Sequence, residues 1–384
     1  MKTAQNILKD LVGFPVLGGQ SNLDLINYIK DELTKHQITY HLVPNTEGTK
    51  ASIFCRIGPA VDGGFILSGH TDVVPVAGQA WLTDPFILTE KPDGKLYGRG
   101  SCDMKGFIAC CLVNLTKMTS VQLKKPIYFA FSYDEEIGCV GAPDLIKSLL
   151  KTYAEKPKYA LIGEPTLMQP IVGQKGICVF KTTVYGSEGH SSRIKQEVSA
   201  IHEAAKLVVW LEQKMDTLIA EKHIDKRFNP PHSSIHIGKI NGGVAPNVIA
   251  NECTFYWDVR IIPQDHIETI KNDFLDYCQS RIKIMRKINP KFNITLTADH
   301  PAVPALDTPE NRSIVSIIKQ LSCRSDLGTV AYAAEAGQFS NAGLEAVICG
   351  PGSIEQAHRA NEFISKEELK KGEKMIADLV DYLS

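Results

Sequence analysis

The sequence lacks several features that would place it in a specialised class of protein. Its 384 residues contain no C-x-x-C pair and no apolar run near the roughly 18 residues that a transmembrane helix needs. Neither sign of charge is in excess, because 42 Lys and Arg face 43 Asp and Glu. We therefore expect no membrane span and no general basic surface for nucleic acid.

The first fifteen residues and the cysteines both favour the cytoplasm. The segment MKTAQNILKDLVGFP contains Asp10 and no continuous apolar stretch, unlike a secretory signal peptide. Several of the ten cysteines lie in apolar runs, such as Cys110 and Cys111 in FIACCLVNL. Free, buried thiols of this kind are typical of a reducing compartment. We expect a cytoplasmic protein whose thiols stay free.

Three common catalytic and nucleotide-binding motifs are also absent: G-x-x-x-x-G-K-[ST], H-E-x-x-H and G-x-S-x-G. The hydrophobic share of 43% and the charged share of 22% are those of an ordinary globular protein. A chain of this length corresponds to about two or three domains. It can bury a large core without disulfides or a structural metal. Disordered, collagen-like and disulfide-scaffold classes are thereby excluded.

The pattern of apolar residues predicts alternating strands and helices. Strands are expected in ASIFCRI, GFILSGH, PIYFAFSYDEE and YALIGEP, and helices near Met104–Met118 and Pro143–Tyr153. This alternation favours an α/β domain with a largely parallel or mixed sheet. The middle of the chain reads instead as β-α-β-β-α, which favours a small α+β unit. From FNITLTAD onward, the sequence returns to the strand and helix alternation of the α/β domain.

We therefore expect a discontinuous domain formed by residues 1–177 and 293–384, with a smaller domain, residues 178–292, inserted into it.

Three of the apolar runs end directly on ionisable residues. The residues that follow these strands are His70 and Asp72, Glu135 and Glu136, and Glu164. Ligand sites in open α/β sheets lie beyond the carboxyl ends of strands, so these side chains should converge on one rim. Asp103 in GRGSCDMKG could join them from the start of a helix. Singly, each is more often a turn residue or helix cap; their coincidence favours a site.

A rim rich in carboxylates needs a counter-charge, because packed carboxylates raise one another's pKa. A divalent metal would relieve this repulsion, and oxygen and nitrogen donors suit zinc, cobalt or manganese. The donors are too many for one tetrahedral ion, which suggests two ions about 3.5–4 Å apart sharing a carboxylate. His358 in GPGSIEQAHRANE, after the strand EAVICG, is the second histidine that such a site requires.

A series of longer motifs carries a resemblance to a known family. The motifs run from about residue 65 to 365 and read SGHTDVVPV, GRGSCDMKG, DEEIGCVGA, IGEPT, GSEGHSS, NGGVAPNVIANECTFYWDVR and CGPGSIEQAHRANE. They resemble the dinuclear-zinc aminoacylase/carboxypeptidase metallopeptidase superfamily. The resemblance implies a zinc-aminopeptidase-like catalytic domain with a mixed sheet flanked by helices. It also implies an inserted α+β domain that serves as lid and dimerisation surface in a homodimer.

The same resemblance implies roles for individual residues. His70 and Glu164 would hold one ion, Glu136 and His358 the other, with Asp103 bridging both. Asp72 would hydrogen-bond the His70 imidazole, and Glu135 would be the general acid and base. His190, often supplied by the other subunit, would stabilise the oxyanion, while Arg260 and Asn247 would bind the substrate carboxylate. Gln174 departs from the family, whose members often carry His there, so no role is assigned to it.

The resemblance implies that two divalent ions, zinc before cobalt or manganese, activate water together with Glu135. The motifs are most similar to the branch that hydrolyses the N-acetyl amide of N-acetyl-L-ornithine. Desuccinylation of N-succinyl-diaminopimelate, or a broader aminoacylase or carboxypeptidase activity, is the alternative. A non-enzymatic binding protein with the same fold is disfavoured because the ligand set is complete. The expected partner is a small N-acyl amino acid, with no nucleic acid and no membrane.

Overall fold

The computed structural model describes residues 2–384. Its strands are β1 (Tyr40–Pro44), β2 (Ala51–Ile57), β3 (Phe65–His70), β4 (Thr89–Glu90), β5 (Lys95–Tyr97), β6 (Ile127–Ser132), β7 (Tyr159–Ile162), β8 (Ile171–Gln174), β9 (Gly176–Tyr185), β10 (Gly189–His190), β11 (Ser234–Gly242), β12 (Val248–Ile249), β13 (Glu252–Ile261), β14 (Asn293–Ala298), β15 (Leu306–Asp307), β16 (Gly328–Val330), β17 (Glu345–Ile348) and β18 (Phe363–Ser365). Its helices are α1 (Ala4–Val12), α2 (Leu23–Lys35), α3 (Lys105–Val113), α4 (Leu115–Ser120), α5 (Ala142–Thr152), α6 (Ala200–Ala220), α7 (Ile267–Met285), α8 (Ser313–Ser322), α9 (Ala336–Asn341) and α10 (Lys366–Tyr382).

The chain divides into two compact units. The first comprises the chain up to Gly173 with Leu306–Thr329 and Ala334–Ser384, and the second comprises Gln174–Ala305 and Val330–Ala333. These bounds differ from the predicted insertion, residues 178–292. Strand β14, which the sequence pattern assigned to the first domain, belongs to the second unit because it pairs with β9.

The first unit is built on a mixed sheet flanked by helices. Its strand order is β1-β2-β6-β3-β7-β17-β8-β15, with β16 paired to β8. The central strands β6, β3, β7 and β17 are parallel to their neighbours in that group, whereas β1, β2 and β8 pair antiparallel. Every residue of β3 and β6 is buried, as in central strands covered on both faces. The carboxyl ends of four adjacent strands therefore share one edge.

Helix α3 is an interior helix of this unit. Its residues from Lys105 to Leu112 are all buried, which fits a helix that is apolar on all sides. It packs with α1 and α10 in one hydrophobic core. Ser365 precedes helix α10, and its hydroxyl accepts the N–H of Glu368 at 3.0 Å and so caps the helix. Because α3 is held in the core, the residues directly before it, including Asp103, are held in place as well.

The second unit has an antiparallel sheet of order β11-β13-β9-β14 and a separate pair, β10 and β12. Alternate residues of β13 are buried, as expected where one face of an antiparallel sheet is covered. Helices α6 and α7 pack on this sheet around a second hydrophobic core. In it, the indole N–H of Trp257 donates to the Thr182 hydroxyl at 3.0 Å.

The ten cysteines, all within residues 2–384, are free thiols, and all but Cys323 are buried. Over the same residues, no helix has the length and apolar character needed to cross a membrane.

Candidate metal centre

The structure brings the five predicted metal ligands together in the first unit. They come from the end of β3, from the turn that leads into α3, and from the loops after β6, β7 and β17. They are His70, Asp103, Glu136, Glu164 and His358. Ligand atoms of His70, Asp103 and Glu136 lie within 4.8 Å of one another. Ligand atoms of His70, Glu135 and Glu164 form a second such group. The shared edge of the parallel strands accounts for this convergence.

Asp103 lies between the two histidines. Its Oδ1 is 3.0 Å from Nε2 of His70, and its Oδ2 is 3.6 Å from Nε2 of His358. The same Nε2 of His358 is 3.0 Å from Oε2 of Glu136. Nε2 of His70 is 3.9 Å from Oε1 of Glu164. Each imidazole thus faces a glutamate and one oxygen of a shared aspartate, an arrangement of donors that has room for divalent metal ions.

The charges of the cluster fit divalent cations. Within residues 2–384, none of its carboxylates forms an ion pair with Lys or Arg. Burial and the charges of neighbouring carboxylates raise the pKa of Glu164 and that of Glu135 well above the usual range of a glutamate. The same causes raise the pKa of Glu136 to about 7. A cation would remove this penalty. The oxygen and nitrogen donors match zinc, cobalt or manganese.

The pKa of His70 is also raised, but for a different reason. Burial alone would lower its pKa, but the hydrogen bond to Asp103 and the surrounding carboxylates raise that pKa well above its usual value. The pKa of Asp103 is correspondingly lowered: burial opposes ionisation, and the contact with His70 outweighs it.

Asp72 makes different contacts from those expected. Nδ1 of His70 donates to the main-chain oxygen of Asp72 at 2.8 Å, whereas the nearest carboxylate oxygen of Asp72 is 3.8 Å away. The carboxylate instead accepts the backbone N–H groups of Glu135 and Glu136, both at 3.1 Å. The main chain of Asp72 therefore fixes the imidazole tautomer that leaves Nε2 free for a metal. Its side chain holds the loop that carries the two glutamates.

Glu135 is held by a neighbour that sequence reasoning missed. Its Oε1 accepts the thiol of Cys139 at 3.3 Å. The main-chain oxygen of Cys139 in turn accepts the side-chain amide of Gln338 at 3.2 Å. Nothing in DEEIGCVGA distinguishes this cysteine from an ordinary buried one, so only the fold reveals the contact.

A second set of missed residues supports Asp103. The buried carboxylate of Glu362 accepts the backbone N–H groups of Cys102 and Asp103 at 2.9 and 3.0 Å. Its other oxygen accepts Nη1 of Arg99 at 2.7 Å. Arg99 lies in the motif GRGSCDMKG and Glu362 in HRANE. The presence of an ionisable residue inside each motif was the only signal in the sequence that could have pointed to them.

The remaining predicted residues lie in the second unit. His190 and Asn247 are exposed and come together because β10 pairs with β12, and the N–H of Ser191 donates to the main-chain oxygen of Asn247 at 3.0 Å. They line a shallow depression of about 430 Å³. Arg260, at the end of β13, does not line it; its Nη1 donates to the main-chain oxygen of Ala331 at 3.4 Å.

Comparison with known proteins gives a consistent result. The family model of peptidase family M20/M25/M40 matches residues 66–382. An acetylornithine deacetylase of Shigella sonnei is 33% identical over 371 residues, covering 94% of this chain and 91% of that protein. A solved M20 family metallo-carboxypeptidase from Sulfolobus solfataricus superposes with a TM-score of 0.79 at 18% identity, covering 99% of both chains. A tripeptidase from Staphylococcus aureus gives 0.76 at 18% identity, with 99% and 97% covered.

Proposed function

Because the chain belongs to peptidase family M20/M25/M40 and is therefore a hydrolase of amide bonds, we propose that it converts N-acetyl-L-ornithine to L-ornithine and acetate. The choice of amide is supported by the Shigella deacetylase, which aligns along nearly the whole chain. The observation that carries the chemistry is Asp103, whose two carboxylate oxygens face His70 and His358 separately.

The proposed centre holds two divalent ions, most readily zinc, with cobalt or manganese as alternatives. His70 and Glu164 would hold one, Glu136 and His358 the other, and Asp103 would contact both. When bound, the ions supply Lewis-acid activation of water and of the amide carbonyl. Glu135 itself belongs to the group of ligand atoms formed with His70 and Glu164, but we assign it to proton transfer.

In this reaction Glu135 would take a proton from the attacking water and return it to the leaving nitrogen. Two contacts prepare it for this role: the Asp72 carboxylate holds its main chain, and the Cys139 thiol donates to its Oε1. Its raised pKa, a consequence mainly of burial, makes the carboxylate a stronger base than an exposed glutamate. A base with a pKa nearer neutrality is more effective at physiological pH.

For the second unit we propose the roles implied by the family resemblance. His190 would donate to the developing oxyanion, while Arg260 and Asn247 would bind the substrate carboxylate; a forked, permanently charged guanidinium suits that group. The unit would act as lid and dimerisation domain in a cytoplasmic homodimer.

The test is a hydrolysis assay on chelator-stripped protein resupplied with zinc or cobalt. N-acetyl-L-ornithine and N-succinyl-L,L-diaminopimelate are offered in parallel. We expect metal-dependent turnover of N-acetyl-L-ornithine, with a kcat/KM about 100-fold or more above that for the succinyl substrate. The additional carboxylate of the succinyl group would find no matching partner and would leave polar groups unpaired. Preference for the succinyl substrate would make the enzyme a desuccinylase.

Glu135→Gln is the control for mechanism. It should bind both ions and lose roughly 100- to 10,000-fold in kcat, the usual contribution of a general base. Loss of an ion would identify Glu135 as a ligand. Absence of turnover of either substrate by the wild-type enzyme with both ions bound would refute the proposed substrate.

A further inference from the structure

His358 is the least enclosed of the five ligand side chains. Its side chain is 59% exposed, whereas those of His70, Asp103, Glu136 and Glu164 are each at most 7% exposed. Its backbone has a φ of 62°, a left-handed conformation that is uncommon outside glycine and costs energy. Side-chain packing therefore does little to fix His358, and its position depends on how the surrounding loop is held.

The loop is held at His358 itself by Gln79. Nε2 of Gln79 donates to the main-chain oxygen of His358 at 2.8 Å. Oε1 of Gln79 accepts Nη2 of Arg99 at 2.6 Å and the indole N–H of Trp81 at 3.1 Å. Because two donors converge on its oxygen, the amide has only one satisfactory orientation, with the NH₂ group directed at His358.

Arg99 is itself immobilised. It is only 1% exposed, its guanidinium lies 5.1 Å from the centre of the Trp81 ring, and Nη1 donates to Glu362 and to the main-chain oxygen of Arg359. Glu362 holds the backbone N–H of Asp103. The buried ion pair of Arg99 and Glu362 therefore supports Asp103 directly. Through Gln79 it also supports His358, which faces Oδ2 of Asp103.

A second bridge ties the same two loops. The side-chain oxygen of Asn361 accepts the N–H of Leu82 at 2.8 Å, and its NH₂ group donates to the main-chain oxygen of Ala80 at 3.3 Å. The segment around Gln79 is thus joined to the His358 loop at a second point.

We propose that Gln79 is a positioning residue for the ion held by His358 and Glu136. Its amide, oriented by Arg99, fixes the main chain of His358 and so sets the affinity of that ion, while the ion held by His70 and Glu164 is independent of it. This rests on the two-metal centre of the proposed function. It assigns Gln79 a role in metal affinity and none in the chemical step.

The experiment is a zinc titration of chelator-stripped enzyme against a chromophoric chelator. Wild type is compared with Gln79→Leu and with Gln169→Leu, a matched control whose half-buried amide donates to Asp326 at 2.9 Å. We expect Gln79→Leu to weaken one binding step by about 10- to 100-fold, as loss of a group that orients a ligand usually does. Gln169→Leu should bind both ions as wild type does.

Two reference variants identify the step. His358→Ala should weaken the same step as Gln79→Leu, and Glu164→Ala the other. Gln79→Glu keeps an acceptor for Arg99 but has no donor for His358, so it should reproduce the loss even if Gln79→Leu folds poorly. Two wild-type affinities in Gln79→Glu would overturn the proposal. A wild-type protein that binds fewer than two ions would instead refute the two-metal centre.

Discussion

At the scale of single residues, the orientation of the proposed general base depends on a carboxylate far away in the sequence. Asp72 accepts the N–H groups of both Glu135 and Glu136 and is 1% exposed. Each oxygen of the ionised carboxylate accepts one of these amides, whereas an asparagine has one oxygen and would direct its NH₂ group, a donor, at the other amide.

Asp72→Asn should lower the free energy of unfolding by about 1–3 kcal/mol, because one buried N–H loses its acceptor. It should also lower kcat by about 100-fold, the effect of a displacement near 1 Å at a catalytic group. The ion held by His70 and Glu164 should stay bound, since the His70 tautomer is held by the main chain of residue 72. Urea unfolding, steady-state kinetics and metal analysis measure the three effects.

The control is Asp62→Asn, in which a carboxylate that accepts the N–H of Lys156 at 2.9 Å is changed on the surface. It should leave all three quantities unchanged. Loss of the ion held by His70 and Glu164 in Asp72→Asn, without a change in kcat per bound ion, would show that the Asp72 side chain acts on His70 instead.

The ligands were accessible to sequence reasoning because each follows a recognisable apolar run or motif, and the fold brings those runs together. The contacts that hold these ligands in place could not be predicted from the sequence. The Asp72 carboxylate was expected on His70, two residues away, but the chain turns after β3 so that the main-chain oxygen occupies that position. Gln79, Arg99 and Glu362 meet through loops far apart in sequence, and no periodicity encodes such contacts.

At the scale of elements, the site depends on how closely strand β7 approaches helix α3. Glu164 follows β7 after Gly163, and Asp103 lies just before α3. A Cβ on Gly163 would lie 2.0 Å from Cγ of Phe107 in the first turn of α3. The absence of a side chain at residue 163 thus permits the approach that brings the glutamate and the aspartate into one cluster.

Gly163→Ala should force the strand and the helix apart. We expect the free energy of unfolding to fall by about 1–3 kcal/mol or more, the range for overpacked cores, and the affinity for the His70–Glu164 ion to weaken. Gly238→Ala is the matched control: Gly238 is exposed, and its added Cβ would meet only the His236 ring, at 3.7 Å. It should change stability by no more than about 0.5 kcal/mol. Equal effects of the two substitutions would contradict the role of Gly163.

The elements themselves show where sequence patterns stop being informative. The runs that became β2, β3, β6 and β7 are nearly all buried, and continuous apolar runs predicted them well. The expected helix Met104–Met118 is instead two helices that meet at Asn114. Strand β14 was recognisable as a strand, but its polar, alternating sequence does not reveal its partner. Only the register with β9 assigns it to the second unit.

At the scale of the whole molecule, each unit has its own hydrophobic core, while the ionisable cluster belongs to the first unit alone. Metal binding should therefore stabilise the first unit specifically. A ligand at 100 times its dissociation constant adds about 2.7 kcal/mol. How much the ions add should depend on pH, because the cluster binds protons in their absence.

In stripped protein, burial raises the pKa of Glu135 and Glu164 well above the usual 4.5 and that of Glu136 to about 7. A carboxyl whose folded pKa is raised contributes stability that is complete below about pH 4.5 and lost as pH rises through the folded value. For Glu136 the loss is on the order of 3 kcal/mol. The raised pKa values of His70 and His358 act in the same direction, while the lowered value of Asp103 acts only below about pH 4.

Calorimetry between pH 5 and 8 should therefore show the stripped first unit losing stability as pH rises, while the zinc-loaded unit changes less. The gap in Tm between loaded and stripped protein widens with pH, and the transition of the second unit does not move with zinc. Glu136→Gln removes one titrating group and should flatten the stripped curve. A gap that stays constant across this range would mean that the carboxylates are already ionised without metal, and that their crowding is relieved by something other than a bound cation.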